Sequence, residues 1–280
     1  MQDDNNTSTS LYPQVQLLNI KTKEIINIED YFNLLKTTPL SSNLNSDNFV
    51  IFENNTRNVY LLDPEKMILT DLNITSLDNV EISQLKYSPD EQFIIYTVIS
   101  KTSDPSLNSF LYDVKTEKIT KAGNEIGNCY DISWSATGDF FSVLCDISTD
   151  GWNPEYHVYV YDFSERNINS IQLLEDFPRS SQPTWSSGDD LLVMLTKISG
   201  NREFLVFDIQ NRTKEFFALE NKELLVFEMK LIPNAKGIIY ISGEDVAQSK
   251  IYKIDFRSTK TTVITAKEAN YQNLNIVEKH

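Results

Sequence analysis

The feature that most constrains this chain is a strand ending that recurs. An apolar run closing on Asp or Asn, followed by a short polar turn, occurs six times: Leu17-Leu18-Asn19-Ile20-Lys21-Thr22, Leu61-Leu62-Asp63-Pro64-Glu65-Lys66, Leu111-Tyr112-Asp113-Val114-Lys115-Thr116, Tyr161-Asp162-Phe163-Ser164, Val206-Phe207-Asp208-Ile209-Gln210-Asn211 and Lys253-Ile254-Asp255-Phe256-Arg257-Ser258. The anchors Asn19, Asp63, Asp113, Asp162, Asp208 and Asp255 stand about 44 to 50 residues apart, the period of a four-stranded propeller blade.

A second register keeps the same period. Lys86-Tyr87-Ser88-Pro89-Asp90, Ser133-Trp134-Ser135-Ala136-Thr137-Gly138, Thr184-Trp185-Ser186-Ser187-Gly188 and the weaker Lys230-Leu231-Ile232-Pro233-Asn234 each precede a β-rich run. The best-formed unit runs from Asn128 to Leu174, with its first three strands expected at Cys129 to Ser135, Phe140 to Ile147 and Tyr156 to Phe163. Gly138 lies in the first turn, where a positive φ is supplied at least cost. Trp134 and Trp185 occupy matching positions and read as blade-packing residues.

The fold expected is therefore all-β: one β-propeller of about six four-stranded antiparallel blades over 13–280, after a disordered tail at 1–12. Two places are weak. The blade around 49–72 has only Thr38 to Leu44, a poor strand by composition, to supply its innermost strand. The closing blade would combine strands between 15 and 28 with a C-terminal strand at 271–277, about three in all. The stretch 29–36, acidic at its start and apolar at near-helical spacing, predicts one or two helical turns.

With 8 glycines and 9 prolines in 280 residues, many turns must be built from Asn, Asp, Ser and Thr. The formal charge of −15 argues against nucleic acid or an anionic membrane as partner and is read as serving solubility, with recognition of a basic partner as the alternative. No apolar run reaches the roughly 18 residues that cross a bilayer. The N-terminal MQDDNNTSTS lacks the features of a secretory signal, so the chain as given is expected to be cytoplasmic, or extracytoplasmic if it is a processed fragment. In a reducing compartment Cys129 and Cys145, at nearly opposite hairpin positions, are expected to be two buried thiols.

Catalytic chemistry finds little support. The histidines are His157, expected as a half-exposed strand residue, and the terminal His280. Neither suits a triad base or a zinc site, and no phosphate-binding glycine loop or calcium loop occurs. No catalytic residue, metal ligand or cofactor is expected.

The run Ile26 to Phe32, then Ser46 to Asn54, Tyr87 to Ile94 and Tyr112 to Thr116, in that order and spacing, resembles the start of the propeller of dipeptidyl peptidase IV-type (prolyl oligopeptidase family) enzymes. The remaining repeats are similar to those of TolB-like and other WD40-like propellers. In the peptidases the propeller screens a C-terminal α/β-hydrolase domain, and paired glutamates hold the substrate's amino terminus. This chain has no Gly-x-Ser-x-Gly elbow and no adjacent glutamates, so neither role carries over.

Function is expected in the rim loops where strands two and three, and successive blades, connect. The foremost is 148–155, with Asp150, Trp152 and Glu155 as candidate binding residues, Trp being favoured at hot spots. Lys101 to Asn108, Glu175 to Ser181, Ser199 to Arg202 and Gly243 to Ser249 share that rim. The reading is a non-catalytic binding or scaffolding module for a protein or peptide partner. The alternative implied by the resemblance is the substrate-gating propeller of a dipeptidyl peptidase IV-type serine peptidase.

Overall fold

The computed structural model describes residues 15–18, 23–42, 49–53, 58–72, 74, 80–100, 109–123, 125, 127–148, 154–198, 200–219, 225–232, 236–265, 267 and 271. They form an all-β propeller of six antiparallel sheets in chain order. The first sheet has two described strands, β1 (Gln16–Leu18) and β2 (Ile25–Asn27), followed by a single helical turn α1 (Ile28–Tyr31) capped by Asn27. The second comprises β3 (Thr37–Ser42), β4 (Phe49–Glu53), β5 (Val59–Asp63) and β6 (Ile68–Asp71). The third comprises β7 (Val80–Tyr87), β8 (Phe93–Ser100), β9 (Ser109–Asp113) and β10 (Lys118–Lys121). The fourth comprises β11 (Asn128–Trp134), β12 (Phe140–Asp146), β13 (Tyr156–Asp162) and β14 (Gln172–Pro178). The fifth comprises β15 (Ser180–Trp185), β16 (Leu191–Ile198), β17 (Asn201–Asp208) and β18 (Thr213–Ala218), and the sixth β19 (Leu225–Leu231), β20 (Gly237–Gly243), β21 (Ser249–Asp255) and β22 (Lys260–Val263).

Five sheets thus have four strands each and the first has two among the described residues. The poor strand before residue 49 does form, as β3, paired with β4. The tail at 1–12 and the closing strand at 271–277 lie outside the described residues, apart from Tyr271. The first strands of neighbouring sheets lie beside one another, β3 with β7, β7 with β11, β11 with β15 and β15 with β19.

The second to fifth sheets each bury apolar residues on both faces. On β12, Phe141, Val143 and Cys145 pack toward the third sheet, whereas Leu144 packs toward the fifth. This explains why β8, β12 and β16 read as continuous apolar runs and not as an apolar–polar alternation. Five apolar clusters result, one between each successive pair of sheets, from Ile28, Ile51 and Leu62 at the first boundary to Phe204, Met229 and Tyr240 at the last.

The two sequence registers correspond to two turns. At the end of each third strand the Asp carboxylate accepts from backbone N–H groups two or three residues ahead, at 2.8–3.1 Å, for Asp63, Asp113, Asp162, Asp208 and Asp255. The fourth residue after each anchor has a left-handed backbone: Met67, Glu117, Arg166, Arg212 and Thr259, with φ 51–55°, and Lys23 after Asn19 with φ 59°. Side-chain turn closure thus does work usually left to glycine.

In the second register a buried serine closes the turn. Ser88, Ser135 and Ser186 accept through Oγ from the N–H of Phe93, Phe140 and Leu191 at 3.0–3.1 Å. Their third followers, Glu91, Gly138 and Asp189, all have positive φ, with Gly138 at 79° as its position predicts. Trp134 and Trp185 are half-buried and each reaches back one sheet. Their indole N–H groups donate to the carbonyls of Lys86 (3.2 Å) and Ser133 (3.1 Å).

The expectation of two reduced thiols is corrected. Cys129 and Cys145 are joined in a disulfide, fully buried between the third and fourth sheets. They are direct cross-strand partners on β11 and β12, which brings the two Cβ atoms within bonding reach. His157 also departs from expectation. Its side chain is largely buried and its Nδ1 lies 3.1 Å from Asp176.

Candidate functional site

A cleft of about 570 Å³ opens on the rim where second strands turn into third strands and one sheet passes to the next. Its lining comes from the start of β13 (Glu155, Tyr156), the β14–β15 junction (Arg179, Ser181), the β16–β17 turn (Leu195, Thr196, Lys197, Gly200, Arg202) and the start of β19 (Leu225, Val226). Three successive sheets therefore meet there.

The contributors from the fourth sheet and from the β14–β15 junction are held by hydrogen bonds at their base. The carboxylate of Asp146, the last residue of β12, accepts from the N–H groups of Ser148 (2.9 Å) and Glu155 (3.1 Å). Ile147 N–H donates to the Glu155 carbonyl (2.9 Å), so both legs of the 148–155 loop are tied at their base. Arg179 is the single residue between β14 and β15 and has a left-handed φ of 56°. Its carbonyl accepts from Lys197 N–H (3.0 Å) and Thr196 Oγ1 (3.4 Å), which fixes the backbone and leaves the guanidinium in the cleft.

Tyr156 supplies an aromatic wall, set edge-to-face against Tyr130 with ring centres 5.9 Å apart. Tyr130 is the extra residue of a bulge in β11, between Cys129 and Asp131. Burial first, then its hydrogen bond to Tyr156, raises the Tyr130 hydroxyl pKa above the usual tyrosine range, so the Tyr130 ring stays neutral at any ordinary pH. Leu225 is 43 % exposed although it lies at a sheet end. The charged lining is Arg179, Lys197 and Arg202 against Glu155, with an Arg179–Glu155 ion pair at 3.4 Å. Chemically the cleft offers, among the described residues, hydrogen-bond donors, one acceptor carboxylate and apolar surface from Leu195, Leu225 and Val226.

Of the residues picked out from sequence, Glu155 lines this cleft, while Asp150 and Trp152 lie outside the described residues. Sequence reasoning named the loops holding Arg179 and Arg202 without singling out either residue. The available signal was three cations, Arg179, Lys197 and Arg202, at or beside two of the rim loops in a chain with 40 acidic and 25 basic residues. A second, more polar hollow on the opposite rim is lined by Asp113, Lys118 and Arg166 among others. Among the described residues no three His, Cys, Asp or Glu side chains are grouped to hold a metal ion, and no helix is long and apolar enough to cross a membrane.

No family model matches the chain, and no curated protein does. Solved structures match at the level of fold. TolB from Acinetobacter baumannii is 15% identical with a TM-score of 0.49, covering 91% of this chain and 60% of that one, so this chain spans less than two thirds of its length. An oligogalacturonate lyase in complex with manganese is 13% identical with a TM-score of 0.54, covering 86% of this chain and 70% of that one. A putative TolB from Agrobacterium tumefaciens is 11% identical with a TM-score of 0.51, covering 92% of this chain and 90% of that one. The last two, with the repeated four-stranded sheets, establish this chain as a β-propeller similar in fold to TolB-like and lyase propellers.

Proposed function

We propose that this propeller is a binding module, with no chemistry of its own, that takes a segment of a protein or peptide partner in the rim cleft. The observation that carries the proposal is the convergence of side chains from three sheets on one concavity that mixes exposed apolar surface with charge. A cleft of about 570 Å³ falls within the range of sites that enclose a compact ligand, roughly 300–1,000 Å³. Its scaffold is strand ends tied by backbone hydrogen bonds, so little ordering is left for binding to supply. The buried Cys129–Cys145 disulfide favours an oxidising compartment as the place of action, since such bonds persist there and are reduced in the cytosol.

The test is an array of sequence-diverse 15-residue peptides probed with the folded chain and with Leu225→Asn. That substitution keeps the size of a half-exposed side chain and removes apolar contact. Captured peptides should be bound by the substituted chain at least about tenfold more weakly. Capture of no peptide, or capture unchanged by Leu225→Asn, would overturn the proposal.

A further inference from the structure

The charge in the cleft runs against that of the whole molecule. The chain carries a formal −15, yet among the described residues the charged ones lining the cleft are three cations and one carboxylate. Ionic screening confines the influence of charge to about 8 Å at physiological salt, so a ligand in the cleft responds to this lining and not to the distant acidic surface.

Two of the cations stand opposite one another. Lys197 and Arg202 are direct cross-strand partners on β16 and β17, and like charges directly opposite one another destabilise a sheet. Lys197 is exposed, and among the described residues its ammonium has no carboxylate within ion-pairing distance. The third cation, Arg179, sits in a left-handed conformation that a non-glycine residue adopts against steric resistance. Sheet pairing does not favour lysine opposite arginine. Accumulated local cost at one concave site points to function.

Arg179 already holds one carboxylate. Its partner Glu155 is 3.4 Å away, and the two side chains are 66% and 45% exposed, so the pair is weak and exchangeable. A guanidinium that pairs loosely with an internal carboxylate can pair instead with an incoming one, in a two-pronged geometry that the single contact at 3.4 Å lacks. Tyr156, Leu195 and Leu225 offer apolar surface between the charges.

We infer that the occupant of this cleft is an acidic, extended peptide segment of a partner protein, whose carboxylates engage Arg179, Lys197 and Arg202 and displace Glu155 from Arg179. This rests on the binding-module reading above and adds the chemical class of the ligand. Glu155 then acts as a specificity gate: it repels acidic ligands until Arg179 is captured, and weak or neutral ligands cannot remove it.

The test uses two fluorescein-labelled eight-residue probes, one alternating Glu and Leu and one alternating Gln and Leu, titrated with the whole chain by fluorescence anisotropy. The Glu–Leu probe should bind at least about tenfold more tightly than the Gln–Leu probe, and the preference should shrink as salt is raised. The double variant Lys197→Gln/Arg202→Gln should abolish the preference, and Glu155→Gln should strengthen Glu–Leu binding severalfold. All three positions are at the rim and not in an apolar layer, so the variants should fold. If both probes bind equally and both are weakened by Leu225→Asn, the acidic-ligand inference is wrong and the binding module stands. If the Glu–Leu probe fails to bind while array peptides do, or if Glu155→Gln weakens its binding, the inference is likewise overturned. If neither probe nor any array peptide binds, both fall together.

Discussion

Asp189 closes a turn that belongs to the preceding sheet: its carboxylate accepts from the backbone N–H of Thr137 at 2.8 Å and from the Thr137 hydroxyl. It also accepts from Ala136 N–H at 2.5 Å, and is almost fully buried. Asp189→Ala would strip partners from two backbone donors and place a residue without side-chain compensation at φ 57°. The expected loss is about 2 kcal/mol, read as a lower midpoint in urea unfolding at unchanged slope. A midpoint within error of the parent would show that the bond contributes nothing net.

Thr259 is β-branched and holds φ 53°, an uncomfortable combination. It stands four residues after Asp255, is exposed, and its hydroxyl donates to the adjacent Ser258 carbonyl at 2.7 Å. Thr259→Gly should raise stability by about 0.5–1 kcal/mol, the relief of left-handed strain outweighing the added freedom of the unfolded chain. Thermal unfolding monitored by circular dichroism decides the sign.

The Cys129–Cys145 bond closes a loop of 16 residues. A loop of that length corresponds to about 3 kcal/mol in the chain-entropy account. Replacing both cysteines by Ala should lower stability by that order. Adding a reductant should leave the substituted chain unchanged while destabilising the parent. A parent indifferent to reductant under unfolding conditions contradicts the bond.

Asp63, Asp208 and Asp255 each have a pKa held below the usual 3.8. The largest cause is the Lys66 ammonium hydrogen bond for Asp63, the Asn211 backbone N–H for Asp208 and the Ser258 backbone N–H for Asp255. A carboxylate whose folded pKa is depressed stabilises the fold above its unfolded value, and that contribution fades as pH falls toward the folded pKa. Stability should therefore drop as pH is lowered below about 3.8. Asp208→Asn should make that drop shallower, which unfolding midpoints measured across this range would show.

The fold was legible because two kinds of turn keep one period. Aspartate anchors and the Ser-x-x-x turns are local chemistry, visible residue by residue, and both are present in the structure. What stayed hidden is non-local. Each four-stranded sheet has a bulge between its first two strands, at Pro39/Ser41, Ile82/Gln84, Cys129/Asp131, Ser181/Thr184 and Val226/Glu228. No common residue type marks these positions, because a bulge depends on the register of two strands. β3 was obscured in the same way: Pro39, Ser41 and Ser42 have little strand preference, and pairing with Phe49 to Glu53 supplies what propensity does not.

The candidate site was only partly legible. The rim followed from topology, and Glu155 lines the cleft. Arg179 and Arg202 are separated by 23 positions in sequence and share a concavity only because β14 hands over to β15 through one residue. The Lys197–Arg202 pairing required knowing that β16 turns back after Ile198. The cysteines were set opposite one another by the hairpin, but the compartment assumed for the chain decided against the bond.

The apolar layers between sheets carry a consequence for how damage spreads. Every layer is shared by two neighbours, so a sheet has no private interior to fall back on. A cavity cut beside Phe141 loosens the third and fourth sheets together and leaves the sixth, sealed by Phe204, Met229 and Tyr240, in place. The molecule thus behaves as a row of leaning books: a gap is transmitted by adjacency, one neighbour at a time.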